Sequence, residues 1–141
     1  MILIDTPVWS LALRRRPEVL GPRDLRLKEL WYRIVEDGRA QLLGSVRQEL
    51  LSGLREESQF QRLRSYLRDF PDTPLIMEDY EEAARASNRC RHVGVATSPV
   101  DMLICAVSRR NGWEILTADA DFSHYSRVLG IRLFVDVDPT S

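Results

Sequence analysis

Residues 1–9 read Met1-Ile2-Leu3-Ile4-Asp5-Thr6-Pro7-Val8-Trp9. The run Ile2–Ile4 has the composition of a short strand buried on both faces. Thr6 then Pro7 is a helix start, a hydroxyl for a cap and a proline for the first helical position. Between strand and helix stands Asp5, a carboxylate at the end of a buried strand with no cation beside it in the sequence. A buried charge needs a partner, and the rest of the chain has to supply it.

The same alternation continues outward from this stretch. The helix opened by Thr6 is expected to reach about Arg15 and stop before Pro17. A second helix follows Gly21-Pro22, with Leu27, Leu30, Trp31, Ile34 and Val35 on one face, and closes at Gly38. Ala40–Leu43 reads as a second strand. Ser45 with Gln48 reads as a capping box opening a third helix, which Gly53 breaks. Phe60, Leu63, Leu67 and Phe70 mark a fourth helix. Pro74–Met77 reads as a third strand and Glu78–His92 as a helix. Ser98-Pro99 starts a buried apolar helix, Met102–Arg110. Trp113–Leu116 is a fourth strand, Ala120–Leu129 a last helix and Ile131–Val135 a fifth strand. Short apolar strands alternating with helices describe a parallel sheet of about five strands covered on both faces. The 141 residues are expected to form a single domain, 1–141.

Composition narrows the class. No apolar run reaches the ~18 residues of a membrane helix, and the start lacks the basic region and cleavage site of a secretory signal. Cys90 and Cys105 have neither metal-ligand nor disulfide-framework spacing. A cytoplasmic protein with reduced thiols is expected. Charge is uneven: residues 1–68 hold 13 Arg+Lys against 9 Asp+Glu, and residues 69–141 hold 7 against 12. Lys28 is the only lysine, and arginine suits bidentate contact with phosphate. Arg14, Arg15 and Arg16 are candidates for such contact, or simply a solvated helix end.

In a parallel α/β sheet, sites lie beyond the carboxyl ends of the strands. Asp5 follows strand one, Glu49 lies on the helix after strand two, and Asp119 and Asp121 follow strand four. Asp101 sits in the first turn of the buried helix, which must start at the same rim to run back down to strand four. Singly these acids have ordinary explanations: Ser98 and Asp101 form a capping box, and Glu49 complements a helix dipole. Together they fall on one edge. Carboxylates gathered there raise one another's pKa or take a cation. An oxygen-only set suits Mg²⁺ or Mn²⁺, which can acidify a bound water and stabilise charge on a phosphate. His92 and His124 are dispersed and give no acid–base pair for metal-free chemistry.

These residues resemble the PIN-domain ribonucleases, and within them the VapC-type toxins of VapBC toxin–antitoxin pairs. The resemblance rests on residues 1–9, on Ser45-Val46-Arg47-Gln48-Glu49-Leu50-Leu51-Ser52-Gly53, on Ser98-Pro99-Val100-Asp101-Met102-Leu103-Ile104-Cys105-Ala106, and on Leu116-Thr117-Ala118-Asp119-Ala120-Asp121-Phe122. It implies a three-layer α/β/α sandwich with an acidic pocket for Mg²⁺ or Mn²⁺ and endonucleolytic cleavage of RNA. It also implies a homodimer and a cognate VapB-type antitoxin. The family's acids fall on Asp5, Glu49, Asp101 and Asp119, with Asp5, Asp101 and Asp119 as metal ligands. Thr117 falls where a supporting hydroxyl stands. Pro7 replaces a family Ser or Asn, so that polar role passes to Thr6. Asp119 is favoured over Asp121 as the ligand. Arg14–Arg16 would hold the RNA backbone. By residue type, Trp9, Leu13, Trp31 and Tyr66 are candidates for protein interfaces.

Three other readings stay open at this level. A PIN nuclease of RNA processing would have no antitoxin, and a PIN scaffold would bind without cutting. A phosphoryl-accepting signalling domain also gathers acids at strand ends, but needs a lysine near the last strand, and Lys28 is misplaced for that.

Overall fold

The structure, a computed structural model, describes residues 1–14 and 16–135. Its centre is a parallel sheet in which β1 (Ile2–Ile4) lies between β2 (Ala40–Gln41) and β3 (Glu114–Leu116). Ile2 stands opposite Ala40 on one side and Glu114 on the other. Single parallel bridges extend both edges, Leu42 to Asp72 and Ile115 to Leu133. The spatial order is therefore Asp72, β2, β1, β3, Leu133.

That order fixes the layers. From β1 the chain steps outward through α1 (Thr6–Arg14) and α2 (Pro22–Glu36) to β2. It continues through α3 (Gly44–Ser52) and α4 (Glu57–Leu67) to Asp72. It then crosses back through α5 (Met77–His92) and α6 (Pro99–Asn111) to β3, and steps the other way through α7 (Asp121–Leu129). Right-handed crossovers in opposite directions put the two helix sets on opposite faces. This is the expected α/β/α sandwich. The three strands are buried or half-buried, with Ile2, Leu3 and Ile4 each about 1% exposed.

Three local expectations differ. Pro74–Met77 is not a strand. The chain touches the sheet only around Asp72, where Thr73 N–H donates to Leu42 O at 2.9 Å. Pro74 has no N–H for a ladder, and the Ile76 N–H is taken by the Asp79 carboxylate at 3.0 Å as α5 begins. The expected strand Ile131–Val135 is reduced to the Leu133 bridge, flanked by bonds from Ile115 N–H to Arg132 O and from Phe134 N–H to Ile115 O. The Ser45–Gln48 capping box does not form. Helix α3 starts two residues earlier, with Leu43 in the cap position, and Ser45 Oγ is buried without a partner among the described residues.

Trp9 and Trp31, candidates for an interface, are core residues. Their rings meet edge to face at 5.8 Å, and Trp9 meets Phe70 likewise at 5.1 Å. Cys90 and Cys105 are free and buried. Among the described residues no helix is long and apolar enough to cross a membrane.

Candidate active site

The chain leaves β1 toward one face and β3 toward the other, so a crevice opens between their carboxyl ends, the switch point of this topology. Asp5 lies at its floor, 2% exposed. Its backbone N–H donates to Leu116 O at 3.1 Å, which ties the two strand ends together. One carboxylate oxygen accepts from the Val8 N–H at 3.4 Å, a weak helix cap, and the other accepts from Thr117 Oγ1 at 2.5 Å. Thr117 Oγ1 also accepts from Asp119 N–H, and Asp119 Oδ1 accepts from Asp121 N–H, both at 2.9 Å. The loop after β3 is thus wired by its own side chains in the manner of Thr and Asp turns, and Asp5 is its anchor.

Asp101 enters from α6. Ser98 Oγ caps that helix by accepting from Asp101 N–H at 3.2 Å. The carboxylate of Asp101 accepts from the Tyr125 hydroxyl at 3.3 Å, and the same hydroxyl reaches Ala96 O at 3.2 Å. Glu49 projects from α3, and Thr6 Oγ1 donates to its Oε2 at 2.7 Å.

The electrostatics bind the four acids into one group. Burial pushes the Asp5 carboxyl up to about 7; Thr117 and the Val8 N–H lower it, and the charges of Asp101 and Asp119 raise it further. Burial also raises Asp101, against hydrogen bonds from Ser98 and Tyr125, with Asp119 and Glu49 adding repulsion. Burial and the Asp101 charge raise the Tyr125 phenol, which keeps it a donor, and raise the Cys105 thiol, which keeps it inert.

Asp5, Glu49, Asp101 and Asp119 therefore meet at one rim, with Thr6 and Thr117 supporting two of them. Asp121 stands behind Asp119 at the exposed first turn of α7. Arg14 is not brought to the acids. It ends α1, about 12 Å along the helix from its start, against Gly53, where an added Cβ would lie 3.2 Å from the guanidinium. Arg16 is exposed beyond it, and Arg15 lies outside the described residues. Two residues join the site without a signal in the sequence. One is Tyr125. The other is Arg23, whose guanidinium donates to Ala118 O at 2.8 Å, between Thr117 and Asp119.

No three acid, histidine or cysteine side chains form a ready-made metal cage among the described residues. The donor set still fits Mg²⁺ or Mn²⁺, which bind through one or two carboxylates and keep several waters. A carboxyl raised chiefly by burial, with two like charges adding to the rise, is a group that a bound cation would return to its ionised form. The cavity of about 510 Å³ between α5 and α6, lined by Tyr80, Ala83, Met102 and Leu103, carries no carboxylate and is not the chemical centre.

The family model described as the PIN domain matches residues 2–128. Among solved structures, the chain is similar to FitAcB from Neisseria gonorrhoeae, with 22% identity over 96% of this chain and 97% of that one and a TM-score of 0.72. It is similar to FitAB bound to an IR36 DNA fragment, with 19% identity over 95% and 94% and a TM-score of 0.70. It is also similar to VapBC2 from Rickettsia felis bound to a DNA fragment from their promoter, with 16% identity over 95% and 98% and a TM-score of 0.67. These are likenesses of fold. No curated protein sequence matches the chain.

Proposed function

Because the chain belongs to the PIN domain family, we propose that it is a metal-dependent endoribonuclease and the toxin of a type II toxin–antitoxin pair, the whole chain being one such domain. The observation that carries the reading is Asp5: buried, wired to both strand ends, and raised to about 7 beside Asp101 and Asp119. Asp5, Asp101 and Asp119 would hold Mg²⁺ or Mn²⁺. Bound there, the ion supplies positive charge to the scissile phosphate and acidifies water.

The chain's own groups do the rest. Thr117 fixes Asp5 and the Asp119 loop through one hydroxyl. Tyr125 orients Asp101. Glu49, oriented by Thr6, is the proton acceptor for the attacking water. That water attacks phosphorus in line with the 3′-oxygen, which leaves as an alkoxide and takes a proton from solvent, so the products carry 5′-phosphate and 3′-hydroxyl ends. The 2′-hydroxyl takes no part, and preference for RNA rests on shape.

An antitoxin partner is supported by the two-component names of the similar structures. A groove of about 410 Å³ lined by Leu13, Arg14, Leu54, Leu63 and Tyr66 offers an apolar seat for it. A homodimer is supported by the apolar strip of α5, where Met77 is 74% and Tyr80 56% exposed.

The test is cleavage of a mixed RNA pool by purified chain with Mg²⁺, Mn²⁺ or EDTA, beside Asp5→Asn and Asp101→Asn. Metal-dependent cleavage lost in both variants and leaving 5′-phosphates is expected. Cleavage that survives EDTA or either substitution overturns the reading.

A further inference from the structure

Between α5 and α7 runs a groove of about 750 Å³ whose walls are cationic. Arg85, Arg89 and His92 line it from α5, and Arg127 from α7, over a floor of Val93 and Val128. Positions 85, 89 and 92 recur at helical spacing, so they form one stripe about 10 Å long. The wall is braced: Arg89 donates to Val128 O at 2.8 Å, and Arg127 to His124 Nδ1 at 2.6 Å. The sequence around it is cleared of acids. None occurs from residue 83 to 100 or from 122 to 135, although residues 69–141 are acidic as a whole. Among the described residues, the acid paired at its edge is Glu82, 3.0 Å from Arg85.

A single basic residue at a helix end is accounted for by the helix dipole. Arg85 lies two turns before the end of α5, and Arg127 faces it from another helix, so the dipole does not explain why they share a groove. The groove shares helix α7 with the acidic cleft. Helix α7 starts at Asp121 beside Asp119, and Arg127 lies six residues on, about 9 Å along its axis. Tyr125, between them, bonds Asp101.

We propose that this groove carries the phosphate backbone of a single-stranded RNA toward the acidic cleft. The charge pattern fits a polyanion: a cationic track to hold flanking phosphates and an acidic cleft for one scissile bond. That the polyanion is RNA rests on the nuclease reading above.

The test uses the full chain carrying Asp101→Asn, so that the probe survives, and a labelled single-stranded RNA of about twenty nucleotides. Binding is followed by fluorescence anisotropy over a salt series. The groove pair Arg85→Gln/Arg127→Gln is compared with Arg39→Gln/Arg109→Gln, exposed arginines at the amino-end edge of the sheet with the same change in net charge. Loss of two phosphate contacts is expected to lower the salt slope by about 1.4 and weaken binding roughly 25-fold at 0.1 M salt, from ~0.7 per contact on a single strand. The edge pair should bind as the parent, and Arg85→Lys/Arg127→Lys should restore most of the affinity. Equal loss in both pairs would mean that only net charge matters, and overturns the track. An unaffected groove pair overturns it too. Tighter binding of polyglutamate than of RNA, lost in the groove pair, would replace RNA with an acidic protein partner. Failure in any of these ways with metal-dependent cleavage intact sinks the track and leaves the nuclease reading standing.

Discussion

Tyr125 gives no sign of function in the sequence, where it is one aromatic on a short amphipathic helix, yet its hydroxyl is what holds Asp101. The hydrogen bond favours the ionised carboxylate and so offsets part of the burial penalty. In Tyr125→Phe the Asp101 carboxyl rises further, and ionised Asp101 becomes scarcer at low pH. With a hydrogen bond of about 1 kcal/mol at stake, the acid limb of the pH–rate profile should move to higher pH, with cleavage falling by up to about fivefold on that limb and the alkaline plateau changing little. A pH–rate profile lowered equally at all pH would instead mean that Tyr125 only packs. Asp5, Glu49, Asp101 and Asp119 were legible because each sits at a strand end or helix start that periodicity locates. Tyr125 and Arg23 were not, because their contacts close across 24 and 95 positions and leave no local trace.

At the scale of elements, Arg47 of α3 does the work expected of a third strand. Its Nε donates to Asp72 Oδ1 at 2.8 Å, Nη1 to Leu67 O at 2.9 Å, and Nη2 to Phe70 O. One guanidinium thus gathers the end of α4 and the edge of the sheet, where Gly44 leaves room for Asp72; an added Cβ would lie 3.3 Å from its carboxylate. Arg47→Ala should cost about 2 kcal/mol in urea unfolding, since it leaves two part-buried backbone carbonyls without their donor, while the exposed Asp72 carboxylate stays hydrated. Arg47→Lys should recover less than half, because an ammonium cannot span the three acceptors in one plane. The third strand was misread for the same reason: Pro74–Met77 is apolar enough for a strand, but its donors are missing or diverted to Asp79. The Ser45 box was misread because a hydroxyl followed by Gln48 looks the same two residues past a helix cap as at the cap itself.

For the molecule as a whole, three acids pull stability in opposite directions, Asp79 one way and Asp5 and Asp101 the other. Asp79 is 1% exposed and paired with Arg110 at 2.7 Å, which lowers its pKa. Its contribution is present above the unfolded value near 4 and is lost as pH falls through the folded value. Asp5 and Asp101 are raised, so the native state holds more protons than the unfolded chain above pH 4, and stability declines as pH rises through that window. Metal-free protein should therefore be most stable near pH 4–5 and lose up to about 4 kcal/mol through Asp5 by pH 8. Asp5→Asn should flatten that decline, and Mg²⁺ should reverse it in the parent only; thermal melts across pH with and without EDTA read both. The layered architecture was legible throughout, since a parallel sheet follows from alternation alone. The strand order follows only from long-range pairing. That order also sets when the cleft can exist. The middle strand comes from residues 2–4 and one of its neighbours from residues 114–116, and Asp5 finds Thr117 only 112 positions later. Contacts so far apart close late. A chain emerging from the ribosome carries half of its acids without their counterparts, so the cleft is assembled only after the β3 segment has followed, and the timing is written into the order of the strands.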